Sequence, residues 1–87
     1  MKRNAEEVFW ERFNEEKGIG EAAFYYNGIR YSAVGYYGIS YTDKAGVEHN
    51  YWPYDTVEDL IDAKVLEDGL SMREILQRIT EDDFDWQ

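Results

Sequence analysis

Cysteine is absent from this 87-residue chain. That excludes a disulfide framework, a thiolate-bound metal and any thiol nucleophile. Histidine is nearly absent: His49 stands alone. With no cysteine and one histidine, a nitrogen–sulfur metal site is excluded, and as a general base His49 would need an orienting group and a nucleophile nearby. There is one proline, Pro53, so little interrupts regular structure before or after it. No apolar run approaches the roughly 20 residues that span a bilayer. The first residues, Met1-Lys2-Arg3-Asn4-Ala5-Glu6-Glu7, run from two bases into acids where a signal peptide has an apolar core. The expectation is a cytoplasmic protein, for which an absence of cysteine also suits a reducing compartment. Positive charge is scarce as well, with nine Lys and Arg against nineteen Asp and Glu and a net charge of −10. Such a surface repels phosphates and anionic lipid. The expected partner is therefore a basic protein surface, with no direct nucleic acid and no membrane.

Aromatic residues are abundant. Three Trp, eight Tyr and four Phe supply a core without disulfides or metal, each large ring burying roughly 150–250 Å². At this length the chain is one small domain near the lower limit of what folds alone. We read residues 1–80 as a single domain and 81–87 as an acidic-aromatic tail.

The spacing predicts a first helix over Asn4–Lys17. Asn4 is its N-cap, Glu7 takes the capping-box position, and Ala5, Val8, Phe9 and Phe13 form an apolar stripe. Gly18 suits the left-handed position after it. Next, Glu21–Tyr26 and Ile29–Val34 flank Asn27-Gly28, a two-residue hairpin turn. That turn pairs Tyr26 with Ile29, Phe24 with Tyr31 and Ala22 with Ala33 on the core face. A second hairpin runs from Gly38 to Trp52 around Lys44-Ala45-Gly46. With Gly46 left-handed, Ile39 faces Tyr51, Tyr41 faces His49, Ser40 faces Asn50 and Thr42 faces Glu48. Gly35-Tyr36-Tyr37-Gly38 links the two hairpins.

After Pro53 a short helix is expected over Thr56–Ala63, with Val57, Leu60 and Ile61 inward. Glu67-Asp68-Gly69 reads as a turn. Ser71-Met72-Arg73-Glu74 is a capping box that opens the last helix, with Leu70 and Ile75 as a hydrophobic staple and Met72, Ile75, Leu76 and Ile79 facing the sheet. The expected fold is α+β: an N-terminal helix, a four-stranded antiparallel meander of two hairpins, and two short C-terminal helices packed on one face.

No catalytic constellation is legible. His49 sits in an expected strand opposite Tyr41, Ser71 serves as a cap, and Ser32 and Ser40 lack a nucleophile-elbow context. No stretch has calcium-loop spacing or a phosphate-binding glycine loop. Pro53-Tyr54-Asp55 followed by Asp62-Ala63-Lys64 superficially resembles the P-D…D-x-K pattern of metal-dependent nucleases. In those enzymes the acids lie on adjacent strands, whereas here they fall on a short helix, and the net charge opposes a DNA substrate. The chain is therefore expected not to be an enzyme, and no catalytic residue, metal or cofactor is assigned.

The acids have an address. Residues 53–80 carry seven acids against three bases, and residues 81–87 carry four acids and no base. Asp55, Glu58, Asp59 and Asp62 recur at i, i+3, i+4 and i+7, an acidic stripe about 10 Å long at 1.5 Å per residue. One reading is a line of carboxylates offered to a basic groove. The plainer one is a solvated helix face whose first acids favour the helix N-terminus. In the tail, Asp82, Asp83, Phe84, Asp85 and Trp86 resemble the acidic-aromatic ends with which single-stranded-DNA-binding proteins recruit other enzymes. The rings of Phe84 and Trp86 equally suit completion of the core. Tyr36 and Tyr37, flanked by glycines, are a third candidate contact.

The functional expectation is a non-enzymatic inhibitor or regulator that mimics nucleic acid on a basic, nucleic-acid-handling protein, as phage anti-CRISPR and anti-restriction proteins do. The alternative is a structural or adaptor module that docks through the acidic-aromatic tail or the tyrosine loop.

Overall fold

The computed structural model describes residues 3–14, 19–34 and 37–85. It is an α+β fold with an N-terminal helix, a four-stranded antiparallel sheet and two short C-terminal helices. The elements run α1 (Ala5–Arg12), β1 (Phe13–Asn14), β2 (Ile19–Gly20), β3 (Ala22–Tyr26), β4 (Ile29–Val34), β5 (Gly38–Thr42), β6 (Glu48–Tyr51), α2 (Val57–Asp62) and α3 (Met72–Leu76). Single 3₁₀ turns occupy Glu67–Gly69 and Glu81–Asp83.

The main sheet has the order β3-β4-β5-β6, a meander in which every neighbour in sequence is a neighbour in space. Both hairpin registers are those the turns dictate. Asn27 and Gly28 have φ of 54° and 82°, and Tyr26 pairs with Ile29, Phe24 with Tyr31 and Ala22 with Ala33. Gly46 has φ of 86°, and Ile39 pairs with Tyr51, Ser40 with Asn50, Tyr41 with His49 and Thr42 with Glu48. Because side chains alternate along a strand, one face of the sheet carries Ala22, Phe24, Ile29, Tyr31, Ala33, Ile39 and Tyr41, all buried.

Against that face pack the helices. Val8 and Phe9 of α1, Val57, Leu60 and Ile61 of α2, and Met72, Ile75 and Leu76 of α3 are buried in the same core. Asn4 caps α1, its Oδ1 accepting from the Glu6 amide at 2.8 Å. Thr56 caps α2 and accepts from the Asp59 amide. The capping box of α3 is complete: the Glu74 amide donates to Ser71 Oγ and Glu74 Oε1 accepts from the Ser71 amide.

The first helix is shorter than its periodicity suggests. It closes at Arg12, and Phe13–Asn14 pairs antiparallel with Ile19–Gly20, so the expected helical turn beyond Arg12 gives way to a strand pair. Phe13 keeps its place in the core all the same, stacked on Phe9 at 5.5 Å. Tertiary pairing has overridden a helical stripe whose apolar residues are satisfied either way. The proposed Gly18 cap lies outside the described residues. At the other end α3 closes at Leu76, and Ile79, the last residue of the expected stripe, packs half-buried from beyond the helix.

The C-terminal segment folds back. Phe84 bridges Phe24 and Thr80 bridges Asn4, and the Asp85 amide donates to the Ala23 carbonyl at 2.9 Å. The β3 edge is thereby paired at Ala23 and Phe24, which shields part of an otherwise open strand. Among the described residues no helix is long and apolar enough to cross a membrane.

Candidate functional site

The expected acidic stripe is real in part. Glu58, Asp59 and Asp62 lie on α2 and are exposed, while Val57, Leu60 and Ile61 on the same helix are fully buried. The burial of one side is what holds the other outward. Asp55 does not belong to the helix: it stands in the bend before the Thr56 cap, exposed. The acids are therefore a helix face of three with one preceding residue. Asp62 is also engaged, its Oδ1 accepting from Arg73 Nε at 2.7 Å. Arg73 reaches Glu6 on α1 at 3.3 Å as well, so a single guanidinium ties α1, α2 and α3 together. The two carboxylates raise the Arg73 pKa, the hydrogen bond to Asp62 most of all.

The acidic-aromatic segment is arranged differently. Phe84 is 4% exposed, with its ring 5.6 Å from that of Phe24. Asp83 Oδ2 accepts from the Thr80 amide at 3.0 Å, and the Asp82 amide donates to Thr80 Oγ1. Asp85 Oδ2 accepts from Arg30 Nε at 2.9 Å. The core-completing role thus falls to Phe84, whose ring is closed to a partner in the folded state. Trp86 lies outside the described residues.

Of the tyrosine link, Tyr36 lies outside the described residues. Tyr37 is half-buried with φ of 59°, and its ring stacks on Phe13 at 6.1 Å. Its amide donates to the Val34 carbonyl and its carbonyl accepts from the Tyr54 amide. It is a structural joint between the sheet and the segment after Pro53. An exposed aromatic was missed instead: Trp52, at the end of β6, is 68% exposed.

A second constellation surrounds His49. Its Nε2 lies 2.9 Å from Asp43 Oδ2, and one ligand atom each from Asp43, His49 and Glu67 falls within 4.8 Å of the others. Asp43 is held in place by its other oxygen, Oδ1, which accepts from the amides of Ala45 and Val47, both at 2.9 Å. The His49 hydrogen bond and these amides hold its carboxyl below the ordinary aspartate range. The His49 ring stacks on Tyr41 at 4.6 Å and 12°, and Tyr41 donates its hydroxyl to the Val65 carbonyl at 3.2 Å. Burial, with Glu67 among the nearby negative groups, pushes the phenols of Tyr31 and Tyr41 up to about 12.

Half of this cluster was legible. The second-hairpin register puts Tyr41 opposite His49, so Asp43, two residues on, lies diagonal to His49 on the same face. Glu67 was not, because only the packing of the Val65–Leu70 stretch against the sheet brings it there.

No protein family, curated protein or solved structure matches the chain.

Proposed function

We propose that the chain is a non-enzymatic inhibitor or regulator that binds a basic protein, occupying a surface where that protein holds nucleic acid, in the manner of anti-CRISPR and anti-restriction proteins. The observation that supports this is the acidic face of α2. Glu58 and Asp59 are presented to solvent from a helix whose opposite face is completely buried, with Asp55 exposed in the bend just before its Thr56 cap, so the two helical carboxylates are held on a rigid body. A fixed array of like charge costs less ordering on binding than a flexible one, and it steers a basic partner into encounter. Phe84 sits in the core, which weighs against docking through the ring of the acidic-aromatic segment.

The test is capture from the native cell across a salt series, followed by competition. Binding should weaken steeply with salt, compete with the partner's own nucleic acid, and be lost in the triple variant D55K/E58K/D59K with an unchanged melting curve. Binding of that variant at full strength, or a captured partner with a neutral or acidic surface, sinks the reading.

A further inference from the structure

We propose that Asp43, His49 and Glu67 form a binding site for a borderline divalent cation of the zinc type. Two of the side chains come from the second hairpin, Asp43 at its turn and His49 on β6, and the third, Glu67, comes from the turn at Glu67–Gly69. Each offers one ligand atom, and the donor set of one imidazole nitrogen and two carboxylate oxygens suits zinc and its neighbours better than calcium or magnesium, which favour oxygen alone.

The site is also built from behind. The amides of Ala45 and Val47 occupy Asp43 Oδ1 and leave Oδ2 toward His49. Tyr41 orients the imidazole by stacking. Such outer contacts fix ligands before a metal arrives. The side chains are withdrawn from water without being sealed, at 18% exposure for Asp43 and 27% for His49.

The distances fit with a small adjustment. Ligand bonds of about 2.0–2.1 Å place neighbouring donors roughly 3 Å apart around one ion. His49 Nε2 and Asp43 Oδ2 already stand at 2.9 Å. The widest separation in the cluster, up to 4.8 Å, has to narrow on binding, and a change of Glu67 rotamer is the movement this requires. For the ion to bind, the neutral imidazole carries its proton on Nδ1, which frees the Nε2 lone pair that now faces Asp43. Three protein ligands leave a further position for water. The ion would clamp the second hairpin to the turn at Glu67–Gly69.

The experiment is titration of the untagged full chain with Zn²⁺, followed by calorimetry and thermal melting, with Co²⁺ as a spectroscopic stand-in. One ion should bind per chain, with the visible absorption of Co²⁺ showing a low-coordinate site. With free zinc at about ten times its Kd, the melting midpoint should rise by roughly 6–11 °C. H49Q and E67Q should each weaken binding by roughly 100-fold or more, since even outer-contact losses cost 10–100-fold, while circular dichroism shows both metal-free proteins folded. E7Q, at an exposed acid on α1, should bind zinc unchanged. Three results overturn the assignment: zinc affinity retained in H49Q or E67Q, equal weakening by E7Q, or equal competition by Mg²⁺. Each would show a general attraction of cations to an acidic surface.

Discussion

Residues 55–62 and residues 81–85 each carry four acids and no base, yet the fold uses them in opposite ways. In the C-terminal segment the acids have work inside the protein. Glu81 accepts from Arg3 at 3.0 Å, Asp83 from the Thr80 amide at 3.0 Å and Asp85 from Arg30 at 2.9 Å. On α2 and just before it, Asp62 is tied to Arg73 by an ion pair, while Asp55, Glu58 and Asp59 are exposed. The difference comes from where the bases are brought. Arg3 and Arg30 belong to the first half of the chain, and the bridges Asn4–Thr80 and Phe24–Phe84 carry the last acids to them. A charge map drawn along the sequence is not the charge map of the surface. The excess that looked evenly divided between helix and tail survives, as an outward-facing array, mainly on the helix.

The largest test of that contrast is F84A. The ring is almost fully buried against Phe24, and deleting a buried Phe typically costs about 3–5 kcal/mol. Against the roughly 5–15 kcal/mol that hold a small domain folded, this is a large share. Urea unfolding should show a midpoint far below the parent's, and removal of everything after Thr80 should do at least as much. A parent-like midpoint for F84A would mean that the segment is a detachable tail after all, and the comparison would collapse.

What could be read in advance follows from how local its cause is. Asn27-Gly28 and Gly46 set both hairpin registers because a turn of given length admits one pairing, and a slip by one residue would turn Phe24 and Tyr31 out of the core. Ser71 and Glu74 announce α3 because the two halves of the capping box lie three residues apart in sequence. Phe13 illustrates the opposite case. Its place in the apolar stripe of α1 was correct, but its backbone pairs with Gly20, and burial alone does not distinguish helix from strand. The site shows the same division. The outward face of α2 follows from periodicity, and the Asp43–His49 diagonal follows from register. The Arg73 link to Glu6 and Asp62 and the arrival of Glu67 depend on tertiary packing, which no local pattern encodes.

Smaller effects should separate the acids of the C-terminal segment by role. D83A removes half of a capping box and should cost about 1 kcal/mol. D85N should cost at most about 1 kcal/mol, since the Arg30 side chain is 44% exposed and such pairs are screened. Acid titration adds a signature from carboxyls engaged elsewhere. The hydrogen bond from His49 lowers the Asp43 pKa from 3.8, and the Ser71 amide with Lys64 lowers that of Glu74 from 4.5. Because their folded values lie below the unfolded ones, the stability they contribute is present above about pH 5. It is lost as pH falls through 4.5 and 3.8 toward their folded values. Chemical denaturation between pH 6 and 2 should show this slope, and D43N should flatten it.

The smallest expected effect on stability is also the most informative. The double variant E58Q/D59N removes two charges from the first turn of α2, where each carboxylate favours the helix N-terminus by about 0.3–1 kcal/mol. It also removes the like-charge pair of Glu58 with Asp62 on the helix, which costs about 0.2–0.5 kcal/mol. The two contributions oppose one another, and the buried face of Val57, Leu60 and Ile61 is untouched. At exposed positions in physiological salt both contributions sit at their low ends, so the unfolding free energy should stay within about 0.5 kcal/mol of the parent's. Capture of a basic partner should nonetheless fall, with a shallower dependence on salt. If stability dropped as far as in D83A while capture was unchanged, the α2 acids would be structural like those of the C-terminal segment. The difference between the two regions would then be one of exposure alone, with no bearing on what the protein binds.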